Sequence, residues 1–117
     1  MKAAETPTVP GFRASGIHCG IKAGEQAGEP DLALLVSDEP ATVAGVFTLS
    51  TVVGAPVELS RARAQRGRAR AVVVNSGVAN VAMGERGRQN AVRMGDLVAR
   101  AVGCPEEEVL VASTGVI

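Results

Sequence analysis

An α/β fold, a layered mixed sheet with helices, is predicted by three observations. Short runs of Val, Ala, Leu and Thr recur through the first two thirds of the chain, bounded by Gly, Pro or charged residues, as strands are. Arg88–Val102 carries the long helical period. A further apolar run, Val109–Ala112, follows that helix, so the sequence closes on a strand–helix–strand order.

Taken in order, Met1–Pro10 reads as a loose polar lead-in. Gly11–Ile21 is expected to be a strand and Lys22–Pro30, with Gly24 and Gly28 among charges, a loop. Asp31–Ser37 is a continuous apolar run and predicts a buried strand. Asp38-Glu39-Pro40 predicts a turn, and Thr42–Leu49 the next strand. Pro40–Val57 is uncharged throughout, but its glycines, prolines and β-branched residues fit two buried strands around a turn better than a membrane span. Ala55–Leu59 is expected as a short strand, after which Ser60 caps a brief helix through Gln65 that Gly67 ends.

Ala71–Val74 is the most β-favouring run and leads into a turn at Asn75-Ser76-Gly77. Gly84–Gly87 predicts a second turn. In the helix Arg88–Val102, Ala91, Met94, Val98 and Ala101 form one apolar stripe. Arg86, Arg93 and Arg100 fall away from it. Gly103 fits the position just past the helix end, and Pro105 prevents continuation. The chain ends on Gly115-Val116-Ile117 directly after a strand. Residues 11–117 are therefore expected to be the front part of a domain that continues beyond Ile117.

Composition narrows the function. The chain has 117 residues, of which 46% are hydrophobic but only 2% aromatic. Val, Ala and Leu must build the core, and each buries little area at roughly 25 cal/mol per Å². Such a core suits one layer of a larger fold. The formal net charge is +0, so no field favours nucleic acid or an anionic membrane, and stacking platforms for single strands are lacking. Cys19 and Cys104 form no CxxC pair and no disulfide framework. With no apolar leader at the N-terminus, two reduced thiols in a cytoplasmic protein are expected.

Few residues carry chemistry. His18 and Cys19 are neighbours on an expected strand and point to opposite faces. They are a poor dyad and read as an ordinary histidine beside a buried thiol. Arg61, Arg63, Arg66, Arg68 and Arg70 read as a solvated helix and loop rather than a phosphate patch. The glycines at 77, 84 and 87 match no phosphate-binding loop, and one histidine provides no metal cluster.

Two segments remain. Asn75, Ser76, Gly77 and Asn80 follow a buried strand, where sites gather in α/β folds, although such Asn side chains also serve to bond nearby backbone. In Ser113-Thr114-Gly115, a hydroxyl stands beside the N–H of a glycine that lets backbone approach a ligand. That pair of donors can stabilise a developing oxyanion, and an ordinary turn is the alternative.

The chain resembles the ornithine acetyltransferase family, the bifunctional glutamate/ornithine N-acetyltransferases of arginine biosynthesis. The resemblance rests on Gly11-Phe12-Arg13-Ala14, Gly20-Ile21-Lys22, Asp31-Leu32-Ala33-Leu34 with Ser37-Asp38, and Ala44-Gly45-Val46-Phe47-Thr48. It continues through Ala55-Pro56-Val57, Asn75-Ser76-Gly77 with Ala79-Asn80, Gly84 with Gly87, and Glu108–Ile117. The family is made as a precursor that cuts itself before a threonine, which becomes the first residue of a beta chain and the nucleophile. It takes acetyl from N-acetylornithine and passes it to glutamate through an acetyl-enzyme; use of acetyl-CoA stays open.

The resemblance implies that Thr114 and Gly115 form the oxyanion hole and that Asn75, Ser76, Gly77 and Asn80 are candidates for lining the substrate pocket. It also implies a heterotetramer of two alpha and two beta chains, no cofactor and no metal. The Met-Ala-Thr segment that bears the nucleophile does not occur within residues 1–117, so this chain is expected to be inactive alone. Val78, and Val81-Ala82-Met83, depart from a usually more polar loop, and Leu49 replaces a usual polar residue. A related N-terminal-threonine acyltransferase or amidohydrolase with a different acyl substrate therefore remains an alternative, as does a non-catalytic interaction fragment.

Overall fold

The computed structural model describes residues 9–117; the lead-in expected at Met1–Pro10 lies mostly outside the described residues. Four strands form one sheet in the order β1-β2-β3-β4: β1 (Phe12–Ile17), β2 (Leu32–Thr42), β3 (Arg68–Val78) and β4 (Val109–Val116). Helix α1 (Ala55–Ala64) lies between β2 and β3 in sequence, and α2 (Gly84–Val102) between β3 and β4. The β1–β2 and β2–β3 pairs are antiparallel and β3–β4 is parallel. This is the mixed sheet expected, and α2 is the crossover that a parallel pair requires.

Registration explains the core. Val36 pairs with Ala71 and Ala71 with Val109; Leu34 pairs with Val73 and Val73 with Val111. Residues in such rows share a face, and these rows pack on Ala91 and Ala99 of α2. The apolar stripe of α2 is rotated from the expected one. Gly87, Ala91, Gly95 and Ala99 are buried, Met94 and Val98 flank them, and Ala101 is exposed. Small residues four apart let the helix approach the sheet closely. Arg86, Arg93 and Arg100 are exposed, as expected. Gly103 ends the helix with φ +78°, and its N–H bonds to the Ala99 carbonyl at 2.8 Å.

Several sequence expectations give way. Asp38-Glu39-Pro40 is not a turn: β2 runs through it with a register shift between Val36 and Ala41. Pro40 lacks an N–H, and such an irregularity is where a strand tolerates that. Asp31–Ser37 is less buried than a fully apolar run suggests, because β2 alternates faces and Leu35 points away from the helices. The strand expected over Thr42–Leu49 stops at Thr42, and 43–54 has no regular structure. Val46 is 101% exposed and Leu49 98%, and β-branched residues make a strand only where a partner surface is present. Arg61 anchors this segment to α1, donating to the Thr48 carbonyl at 2.7 Å and covering the Phe47 ring.

Ala55–Leu59 is helix, not strand. Pro56 stands in the first turn of α1, where its missing N–H costs nothing. Ser60 is consequently inside the helix and caps nothing. Gly84–Gly87 is the first turn of α2 rather than a separate turn. A side chain at Gly87 would meet Asn80 Oδ1 at 2.6 Å and Met83 Cβ at 2.7 Å, so the glycine serves close packing. Asn75-Ser76-Gly77 is also not a turn, since β3 continues to Val78. Among the described residues, no helix is long and apolar enough to cross a membrane.

Candidate functional site

β3 and β4 run side by side to their C-terminal ends, and this pairing assembles the residues singled out from sequence. Asn75 is opposite Ser113, Ser76 opposite Thr114 and Gly77 opposite Gly115. Each strand alone is a run of small polar residues that would break a local strand prediction. Paired in parallel, they satisfy each other's backbone.

Roles differ within the cluster. The Ser113 hydroxyl donates to Asn75 Oδ1, and Asn75 Nδ2 donates to the Val78 carbonyl at 3.0 Å. These bonds hold the two strand ends together. Thr114 and Gly115 are exposed and Ser76 is half-buried. Gly115 has φ +132°, and a Cβ there would lie 2.3 Å from the carbonyl carbon of Gly77. Asn80 lies apart, in the loop between β3 and α2. Its Nδ2 donates to the Gly87 carbonyl at 2.9 Å and its own carbonyl accepts from Ala55 N–H at 3.2 Å. It thus ties the starts of α1 and α2 together.

The outer edge of β4 is closed for part of its length. Ser60 Oγ donates to the Val111 carbonyl at 2.6 Å and accepts from Val111 N–H at 2.9 Å. Arg63 donates to the Val109 carbonyl at 2.7 Å. Backbone groups alternate sides along a strand, so Val109 and Val111 face outward and Ser113 and Gly115 do likewise. Val116 faces β3's side, where its carbonyl accepts from Ala79 N–H at 2.9 Å. The Gly115 N–H therefore points to the edge beyond the Ser60–Arg63 closure, one residue after the exposed Thr114.

Arg63 corrects the view of the arginine run as solvated. It is buried against α2, and Gly95 makes room for it: a Cβ there would meet the guanidinium at 2.6 Å. Burial pushes its pKa down, while the charges of Glu106, Asp96 and Glu107 push it back up. The neighbouring Asp96 carboxylate favours the protonated form of Glu106 and pushes its pKa up. Arg68 pairs with Glu108 at 2.8 Å.

His18 and Cys19 form no dyad, and Cys19 is exposed rather than buried. Both instead approach Asp31, which sequence reasoning treated as a strand boundary. The Asp31 side chain is 0% exposed. Oδ1 accepts from Cys19 N–H at 2.7 Å, and Oδ2 from Ile21 N–H at 2.6 Å and Lys22 N–H at 3.0 Å. His18 Nδ1 is 3.4 Å from Oδ2. Burial alone pushes this carboxyl up, but the donors from Cys19, Lys22 and Ile21 outweigh it and hold Asp31 well below the usual carboxylate range. The available signal was an aspartate after a Gly- and Pro-containing loop, a residue type that often bonds nearby backbone.

A cavity of about 790 Å³ between α1 and α2, lined by Glu58, Leu59, Arg88 and Val92 among others, includes none of the singled-out residues. Among the described residues, no group of three His, Cys, Asp or Glu side chains could hold a metal ion.

Comparison with known proteins agrees with the fold. The arginine biosynthesis bifunctional protein ArgJ of Thermosynechococcus vestitus is 54% identical over 108 residues, which is 92% of this chain and 25% of that protein. ArgJ of Rhodopirellula baltica is 46% identical over 107 residues, again 25% of its length. The chain thus spans about a quarter of these relatives. The crystal structure of ArgJ from Bacillus halodurans matches with a TM-score of 0.85 at 40% identity, covering 92% of this chain and 55% of that one. The ornithine acetyltransferase of Mycobacterium tuberculosis, complexed with ornithine, matches with a TM-score of 0.87 at 39% identity, covering 57% of that chain. The sequence model of the ArgJ family matches residues 13–117, and on this footing the chain belongs to the ArgJ family.

Proposed function

We propose that this chain is part of a glutamate/ornithine N-acetyltransferase of arginine biosynthesis and supplies its oxyanion hole. The Thr114 hydroxyl and the Gly115 N–H receive the negative charge that develops on the acetyl oxygen when a threonine attacks N-acetylornithine. The nucleophile is contributed by a beta chain cut from the same precursor, and the acetyl group then passes to glutamate. Splitting transfer into two steps through an acetyl-enzyme is the usual advantage of covalent catalysis. Two alpha and two beta chains assemble the whole enzyme.

The observation that carries this reading is the open edge of β4. The Gly115 N–H faces outward one residue after the exposed Thr114, on a backbone paired with Gly77 so closely that no side chain fits at position 115. Donors fixed before reaction stabilise charge without reorganising. The ornithine complex of the similar Mycobacterium enzyme supports the substrate class.

The test is expression of the whole coding frame, followed past Ile117, with acetyl transfer from N-acetylornithine to glutamate as the readout. Thr114→Ala is expected to lower kcat by roughly 10²–10³-fold with little change in KM. A wild-type enzyme that transfers no acetyl between these substrates would sink the assignment. The purified 117-residue chain alone is expected to transfer none, and measurable turnover by it would place the nucleophile within these residues.

A second reading draws on the β3–α2 loop. Val78 and Met83 are exposed there, so the segment offers apolar surface where polar groups are expected. A related acyltransferase or amidohydrolase acting on a different acyl group fits this feature. Competition between N-acetylornithine and longer N-acyl donors separates the two.

A further inference from the structure

We infer that Asp31 is a positioning residue for the oxyanion site, acting through Gly77; this rests on the function proposed above. Asp31 stands just before β2, yet it reaches the β3–β4 ends by two routes. Its carbonyl accepts from Ser76 N–H at 2.9 Å, and Ser76 is the register partner of Thr114. Its carboxylate gathers the N–H groups of Cys19, Ile21 and Lys22, which fixes the loop after β1. That loop covers Gly77 and leaves no room for a side chain there, since a Cβ would lie 2.9 Å from Ile21 Cγ2 and 3.5 Å from Lys22 Cγ.

Gly77 is in turn the register partner of Gly115, with no room for a side chain between them. The Cβ position of Gly115 is 2.3 Å from the Gly77 carbonyl carbon and 2.6 Å from Val78 N. Displacing Gly77 therefore displaces its paired neighbour Gly115 or opens the strand pair. The carboxylate is suited to this role because it offers only acceptors, and three donors converge on it. An amide in its place turns an NH₂ group toward N–H donors and releases at least one of them. The loop then loses its anchor, and Gly77 loses the surface that covers it.

The experiment uses the complete enzyme. In Asp31→Asn, kcat per acetylatable active site, counted by the burst of acetyl-enzyme, is expected to fall roughly 10–100-fold. KM for N-acetylornithine should stay within about twofold, as expected when only transition-state interactions are lost. Ile21→Ala keeps the carboxylate and its three bonds but removes the side chain that covers Gly77, and should show a smaller fall of the same kind. Val73→Ala, which opens the core away from this loop, should lower stability while keeping kcat per site.

Hydrogen exchange at the Gly77–Val78 and Gly115–Val116 amides should accelerate in Asp31→Asn and Ile21→Ala but not in Val73→Ala. Unchanged kcat per site and unchanged exchange in both loop variants overturn the inference. Equal losses in Val73→Ala overturn it too, since a general loss of stability then explains the effect. If wild type transfers no acetyl, the functional assignment falls, and the exchange measurement decides the Asp31 link alone.

Discussion

Gly115→Ala is expected to destabilise the protein by about 2–6 kcal/mol and to abolish acetyl transfer. Two costs add. The φ of +132° is a conformation that side chains rarely adopt, which accounts for about 1–3 kcal/mol. The new methyl would also lie 2.3 Å from Gly77 C and 2.7 Å from Gly77 Cα. These are main-chain atoms near the C-terminal end of the parallel pair, so no rotamer change can relieve the contact. The strands must separate, and the Gly115 N–H moves with them. Denaturant unfolding measures the first effect and steady-state kinetics the second. A variant with wild-type midpoint and turnover would mean that the glycine contact is not tight in solution.

Ser60→Ala is the second large effect, with an expected loss of about 2–4 kcal/mol. Serine and alanine nearly share a shape, so no cavity forms and helix propensity slightly favours the variant. The loss comes from Val111, whose buried N–H and C=O both bond the one hydroxyl. Each buried group left unpaired costs about 1–3 kcal/mol. The urea midpoint should fall with an unchanged m-value. A variant as stable as wild type would show that water replaces the hydroxyl at this edge.

Ser60 also illustrates what a local reading of the sequence can reach. The residue was noticed, but as a helix cap, because a serine before a polar run normally bonds the next turn. Its true partner is Val111, on a strand distant in sequence. Arg63 and Asp31 were misread for the same reason: burial of a charge depends on what tertiary contacts surround it. Asn75-Ser76-Gly77 reads locally as a turn and becomes strand only because Ser113-Thr114-Gly115 pairs with it. Where local and global signals agree, the reading held. Ala71–Val74 lies in a strand, Gly103 ends α2, and Val109–Ala112 begins the last strand. The short strand expected at Ala55–Leu59 is helix instead, because Pro56 fits a first helical turn better than a strand interior and Val57 alone is β-branched there. The mixed α/β class survived these errors because it depends on element order rather than on boundaries.

The partial closure of β4 also bears on how this sheet avoids sticking to itself. An outer strand with free backbone groups is a template for another strand. Ser60 and Arg63 plug that template between Val109 and Val111, and no charge or proline within β4 is needed to do so. The unplugged stretch begins where the sequence turns to Ser113-Thr114-Gly115. Any chain that adds to this edge must therefore lie across the proposed oxyanion donors. Misassembly at the free edge and loss of catalysis would then be one event, and turnover itself becomes a gauge of whether the edge is capped by its proper neighbour.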